Sequence, residues 1–169
     1  MLGSATAALA FLPFVVPIGL WVAWNDMKHM KIPNKAVAAL LVVFLLVGPL
    51  VLPFETYLWR WVHFAVVLAI GFVLNLMRLV GAGDAKFAAA MAPFIAVQDL
   101  VPLMWLFAGV VLAAYVTHRG LRAVPAVQRA TPDWTSWQRR RDFPMGLALG
   151  PTLIFYVALP LLPLIAPGS

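Results

Sequence analysis

Cysteine is absent from this 169-residue sequence, which excludes disulfides, thiolate metal sites and a cysteine nucleophile. Charge is scarce too: Asp, Glu, Lys and Arg make up 11% of the chain, against about 25% in an ordinary globular protein. Acidic residues are the scarcer sign, six against twelve basic ones. What is there in abundance is apolar, 64% hydrophobic with a mean hydropathy of +0.96. A soluble fold would expose much of that surface to water. The composition therefore points to an all-α, polytopic bundle of transmembrane helices.

Six candidate spans can be read, at 5–24, 36–54, 61–80, 85–98, 100–118 and 144–165, each set against the ~20 residues a crossing helix needs. The fourth is short and alanine-rich, and the fifth follows it closely across Gln98-Asp99. Residues 1–169 read as a single transmembrane domain with one long loop at 119–143 and no internal repeat. No Lys or Arg occurs before Lys28, and no small-residue cleavage site stands out. The first span is therefore expected to be retained rather than removed as a signal peptide.

Charge tests this map independently. Lys28, Lys31 and Lys35, then Arg78 and Lys86, then Arg119, Arg122, Arg129 and Arg139-Arg140-Arg141 fall on one side; Arg60 alone falls on the other, with Glu55 and Asp99. The positive-inside bias makes the first side cytoplasmic, in a multi-pass protein of the inner membrane. The net charge of +6 is thus accounted for by orientation and lipid contact, and nucleic acid is not an expected partner. Trp21, Trp24, Trp59 and Trp61 sit at span ends as interfacial anchors. The 119–143 loop, with Trp134, Trp137 and the arginine run, reads as lying on anionic headgroups or as a surface for docking substrate.

Chemistry narrows quickly. His29, His63 and His118 are scattered, with no H-E-x-x-H pattern, so neither a metal nor a cofactor is expected. Ser4, Ser136 and Ser169 lie at the ends or in the loop. Carboxylates remain. Asp26 ends the first span and Asp84 begins the fourth, and the chain crosses out and back between them. Topology alone brings both to one membrane face. Two adjacent carboxylates share a proton and support general acid–base hydrolysis of a peptide. Plainer readings stand beside this one: Asp84 as an N-cap after a glycine turn, and Asp26 as a solvated partner of Lys28 or Lys31.

Asp26, followed by Ile32-Pro33-Asn34, then Gly81-Ala82-Gly83-Asp84-Ala85-Lys86 and Phe143-Pro144-Met145-Gly146, resemble in this order the motifs of the type IV prepilin peptidases. These are aspartyl membrane proteases of the GxGD type. Met145 stands where an aromatic residue is usual. The resemblance implies that Asp26 and Asp84 are the catalytic pair. It also implies cleavage of the leader of prepilin or prepilin-like proteins, on the cytoplasmic side, before the substrate's hydrophobic helix. Without cysteine or an added domain, the chain looks like the small peptidase-only form of tight-adherence (Flp) pilus systems, with no N-methyltransferase activity expected.

Supporting roles are also expected. Gly81 and Gly83 would give a sharp turn and close approach to substrate. Pro33 would end the first helix and Asn34 cap the second. Lys86, about 200° round a helix from Asp84, would point elsewhere, toward headgroups or an acidic residue of the substrate. Pro144 and Gly146 would support the site from the last span. Asn75 and Arg78 read as interhelical hydrogen bonding and interface anchoring. The rival from another class is a non-enzymatic assembly or transport subunit whose aspartates bind protons.

Overall fold

A computed structural model describes residues 4–139 and 142–165; Arg140, Arg141 and Ser169 lie outside them. The chain forms α1 (Ala5–His29), α2 (Asn34–Val51), α3 (Phe54–Leu76), α4 (Ala82–Met91) and α5 (Leu100–Arg122). The short helices α6 (Pro125–Ala130) and α7 (Thr135–Gln138) follow, then α8 (Gly146–Ala158) and α9 (Leu162–Ile165). The described residues thus make a helical bundle, the class expected from composition.

By length and composition, four helices can cross a membrane: α1, α2, α3 and the stretch Val97–Arg122 that contains α5. Their outward faces are oily, with Leu50 82%, Phe72 60% and Val116 61% exposed, as lipid-facing helices require. The fourth and sixth expected spans are shorter than the rest. α4 has ten residues before Pro93 and a 3-10 turn at Ala92–Phe94 interrupt it. Most of its side chains, including Phe87, Ala89 and Ala90, are buried. Its neighbours are other helices rather than lipid, so hydropathy alone overstates its length. α8 runs for 13 residues and continues in a 3-10 turn.

Small residues set the helix spacing. Between helices in lipid there is little hydrophobic drive, so close backbone packing counts for more. α1 and α8 form the most extensive pair and meet at Gly19 and Gly150: a Cβ at Gly150 would run into the Gly19 carbonyl, and one at Gly19 would come 2.8 Å from Ile154. α3 approaches α4 in the same way, where a Cβ on Gly71 would lie 2.9 Å from that of Ala85. Prolines occur inside α1, α2 and α8 (Pro13, Pro17, Pro49, Pro151), and the Leu45 carbonyl, freed one turn before Pro49, accepts the Tyr57 hydroxyl at 3.5 Å.

Phe44, fully buried, joins the helices at the other end of the bundle from Asp26. Its ring stacks 6.1 Å from Phe11 and 5.5 Å from Tyr57, and meets Phe94 and Trp61 edge-on at 5.2 and 5.4 Å. Trp61 is partly buried and packs against this core, whereas Trp59, two positions earlier, lies outward at 60% exposed. Nearby, the Tyr156 hydroxyl donates to Asp99 Oδ2 at 2.9 Å and accepts the Ala96 N–H at 3.0 Å. Tyr156→Phe removes an acceptor from a buried amide and a donor from a buried carboxyl. We expect it to lower unfolding stability by roughly 1–3 kcal/mol, read from denaturation in detergent micelles.

The 119–143 segment is not a free loop. α5 extends to Arg122, and α7 folds back onto α1. Trp134 packs edge-on against Trp24 at 4.9 Å and stacks on Trp137 at 5.6 Å, while Trp137 stacks on the buried ring of His118 at 5.2 Å. Through these contacts the tryptophans tie the segment to α1 and α5. Lys28 Nζ completes the clasp, 3.2 Å from Asp133.

Candidate active site

Asp26 lies in the last turn of α1 and is 5% exposed. The helix ends four residues on at Met30, whose left-handed backbone (φ 52°, ψ 42°) turns the chain sharply while its N–H still bonds the Asp26 carbonyl at 2.8 Å. A non-glycine residue there costs about 1–3 kcal/mol. Met30, not Pro33, therefore terminates the helix. Pro33 instead precedes α2 with extended backbone, and Asn34 is the first residue of that helix, with no side-chain cap bond. The reading of Asp26 as a solvated partner of Lys28 or Lys31 also gives way: Asp26 is buried, Lys28 pairs with Asp133, and among the described residues Lys31 makes no ion pair with it.

The Asp26 carboxylate is held from across the bundle. Gly146, the first residue of α8, donates its N–H to Oδ2 at 2.7 Å. N–H groups in the first turn of a helix have no acceptor within it, so this one is free to bond a carboxylate. Glycine is needed because a Cβ at 146 would come 2.8 Å from Asp26 Cβ and 3.1 Å from Oδ2. Sequence reasoning placed Gly146 in the site without seeing this bond. Pro144 is fully buried just before it, and its carbonyl accepts the Leu147 N–H at 3.1 Å.

Asp84 reaches the same place from α4. It sits in the first turn of that helix, with Gly81 in the N-cap position, so Asp84 is not the N-cap. Gly81 has φ −65° and ψ 142°, a backbone open to any residue, and no positive φ marks either glycine of the motif. At Gly81 the requirement is space rather than an unusual backbone. A Cβ at Gly81 would lie 2.8 Å from Asp84 Oδ2, and one at Gly83 would lie 3.4 Å from Ile32 Cβ. Gly81 leaves room for the carboxylate to fold back over it, and Gly83 packs α4 against the Ile32 segment. Leading into this turn, Asn75 donates to the Val80 carbonyl at 2.9 Å and Arg78 takes positive φ. Asn75 thus closes a local turn rather than bridging helices.

Asp26 and Asp84 line one cavity of about 330 Å³. Its wall also holds Met30, Lys31, Ile32 and Asn34 from the α1–α2 turn, Gly81, Gly83 and Lys86 from the start of α4, and Phe143 and Met145 before α8. Among the described residues neither aspartate is in an ion pair. Lys86 shares the cavity despite its angular offset: it is exposed, and its long flexible stem lets it reach the rim. Pro33 and Pro144 do not line the cavity, and each instead positions residues that do. Phe143 and Met145, which flank Pro144 in the third motif, line the cavity as well, and the buried ring of His118, which no motif marks, packs edge-on to Phe143 at 5.9 Å.

No curated protein and no solved structure matches the chain. A family model does. It spans residues 13–117, more than half of the sequence and both aspartates, though not Gly146. The chain belongs to the type IV leader peptidase family.

Proposed function

We propose that this chain is an aspartic endopeptidase that removes the leader peptide of prepilin or prepilin-like proteins at the cytoplasmic face of the inner membrane. Family membership supports a prepilin-type leader peptidase function in broad terms. The observation that carries the finer reading is the cavity shared by Asp26 and Asp84. In this mechanism the two carboxyls close on the peptide bond together, where like charges disfavour double ionisation and the pair shares a single proton. The ionised carboxyl takes a proton from an attacking water while the neutral one donates to the scissile carbonyl. No covalent intermediate is needed, and no cofactor enters.

The orientation follows from charge, with eleven of twelve basic residues on the aspartate side of the topology. Gly81 and Gly146 leave room for the carboxylates, Gly146 donates the amide described above, and Gly83 sets α4 against Ile32. Pro33, Asn34 and Pro144 shape the turns that carry the walls. Without cysteine, the chain resembles the peptidase-only form, and N-methylation is not part of the proposal.

Lys86 is assigned to an acidic residue of the substrate. Lys86→Met should then raise KM for the cognate substrate about tenfold, and unchanged cleavage would return Lys86 to a headgroup role. Co-expression of the chain with a tagged prepilin-like protein, in cells lacking another such peptidase, tests the activity itself. Processing to the mature size is expected. A substrate left at full length, with the chain present in the membrane, would favour a non-enzymatic subunit.

A further inference from the structure

A second and larger cavity, about 420 Å³, lies between α3 and α5. These two helices are not packed on each other: α3 packs on α4, and α5 on α8. The gap between them is floored by Ala88 and Met91 of α4 and by Leu149 and Thr152 of α8. Its walls are exposed along their outer edges, Val66 of α3 at 50% and Met104 of α5 at 68%. The lining is almost wholly apolar. Its two polar side chains are already engaged, Thr152 donating to the Ala148 carbonyl at 2.8 Å and His63 Nδ1 lying 3.3 Å from the Ile95 carbonyl. Nothing in the groove calls for a polar ligand.

The groove continues the aspartate cavity. On α4, Asp84 of the cavity and Ala88 and Met91 of the groove stand at i, i+4 and i+7, one face of a helix. Beside α4, Met145 of the cavity and Leu149 and Thr152 of the groove repeat the same spacing. Two parallel rows thus run from the carboxylates into the lateral gap, which begins one helical turn, about 5 Å, from Asp84. A peptide bond held at the aspartates has its continuing chain delivered to an apolar trough that opens sideways, where lipid would be.

We propose that this groove seats the first turns of the substrate's hydrophobic helix, docked between α3 and α5 with the scissile bond at the carboxylates. The inference rests on the protease reading of the aspartate cavity and adds where the enzyme holds the apolar part of its substrate. Because the lining is apolar and shallow, recognition depends on shape and on helical phase rather than on sequence.

The absence of native cysteine makes the test direct. Met104→Cys and Val66→Cys are made singly in the full chain in membranes. The probe is a leader followed by an apolar helix of ~20 residues with one cysteine in its second turn. Oxidation should give a substrate–enzyme disulfide from both groove positions, abolished by excess cysteine-free substrate, and none from Phe72→Cys on the outward side of α3. Filling the groove by Val67→Trp or Leu103→Trp should raise KM at least tenfold with kcat within twofold. Equal crosslinking from Phe72→Cys, crosslinking only to a second copy of the chain, or an unchanged KM in both tryptophan variants would overturn the proposal. If KM is unchanged and a photoactivatable lipid labels the walls instead, an acyl chain is the occupant. Cleavage of the same probe by the unsubstituted chain reports separately on the protease reading, because disulfide formation does not require turnover.

Discussion

Asp26→Asn and Asp84→Asn should each reduce leader cleavage by at least about a thousandfold, the upper part of the range for losing a positioned acid or base. Asparagine keeps the shape of the side chain and an oxygen that accepts the Gly146 N–H, but it can neither hold nor release the shared proton. About 4 kcal/mol of transition-state stabilisation is lost by that factor. The double variant should be no worse than either single one, because residues that act as a unit are not additive. Both single variants should accumulate in the membrane at normal levels, since each asparagine keeps the volume of the side chain it replaces. Steady-state cleavage in isolated membranes, normalised to the amount of chain, measures this.

Gly146→Val is the second large effect, and it acts by geometry. The new Cβ would fall 2.8 Å from Asp26 Cβ and 3.1 Å from Val22 Cγ1. α8 has little freedom to retreat, because α1 and α8 are already locked together one turn further on at Gly19 and Gly150. The Asp26 side chain must move instead, and its bond to the 146 amide is lost. A displacement near 1 Å is enough to cost roughly a hundredfold in rate. The expected result is a fall in kcat of that order with a smaller change in KM, and Gly146→Ala should lie between valine and the parent. Gly109→Ala provides the contrast. A Cβ there meets nothing within 4 Å, so cleavage should be unaltered and the helix slightly firmer, by ~0.5–1 kcal/mol. Circular dichroism melts beside the kinetics separate a displaced carboxyl from a destabilised bundle.

Much of this architecture could be read in the sequence because hydropathy and charge constrain a membrane chain so tightly. The four long helices and the arrival of Asp26 and Asp84 at one place follow from where apolar runs start and stop. The features that were not legible depend on which neighbour a residue meets. Trp61 and Trp59 are two positions apart, and only packing shows that one faces Phe44 and the other lies outside. Asn34 and Pro33 carry capping and breaking chemistry, yet the left-handed Met30 ends α1, a role that methionine does not advertise. The Gly81-x-Gly83 pair suggested a sharp turn close to substrate, but neither glycine takes positive φ; Gly81 leaves room for Asp84, and Gly83 packs against Ile32 at ordinary contact distance. The bond from Gly146 to Asp26 spans 120 positions; its one trace in the sequence is a glycine just where a helix with free N–H groups begins. The apolar groove is equally silent in the sequence, because its walls have the composition of any lipid-facing helix.

The central claim is that Asp26 and Asp84 together hydrolyse a leader peptide. Its most direct test reconstitutes the purified chain in lipid vesicles with one prepilin-like substrate and weighs the products by mass spectrometry, with Asp84→Asn in parallel. The account predicts a single cut ahead of the apolar helix, with fragment masses that sum to substrate plus one water, and no product from the variant. Cleavage by Asp84→Asn at the parent rate would contradict it.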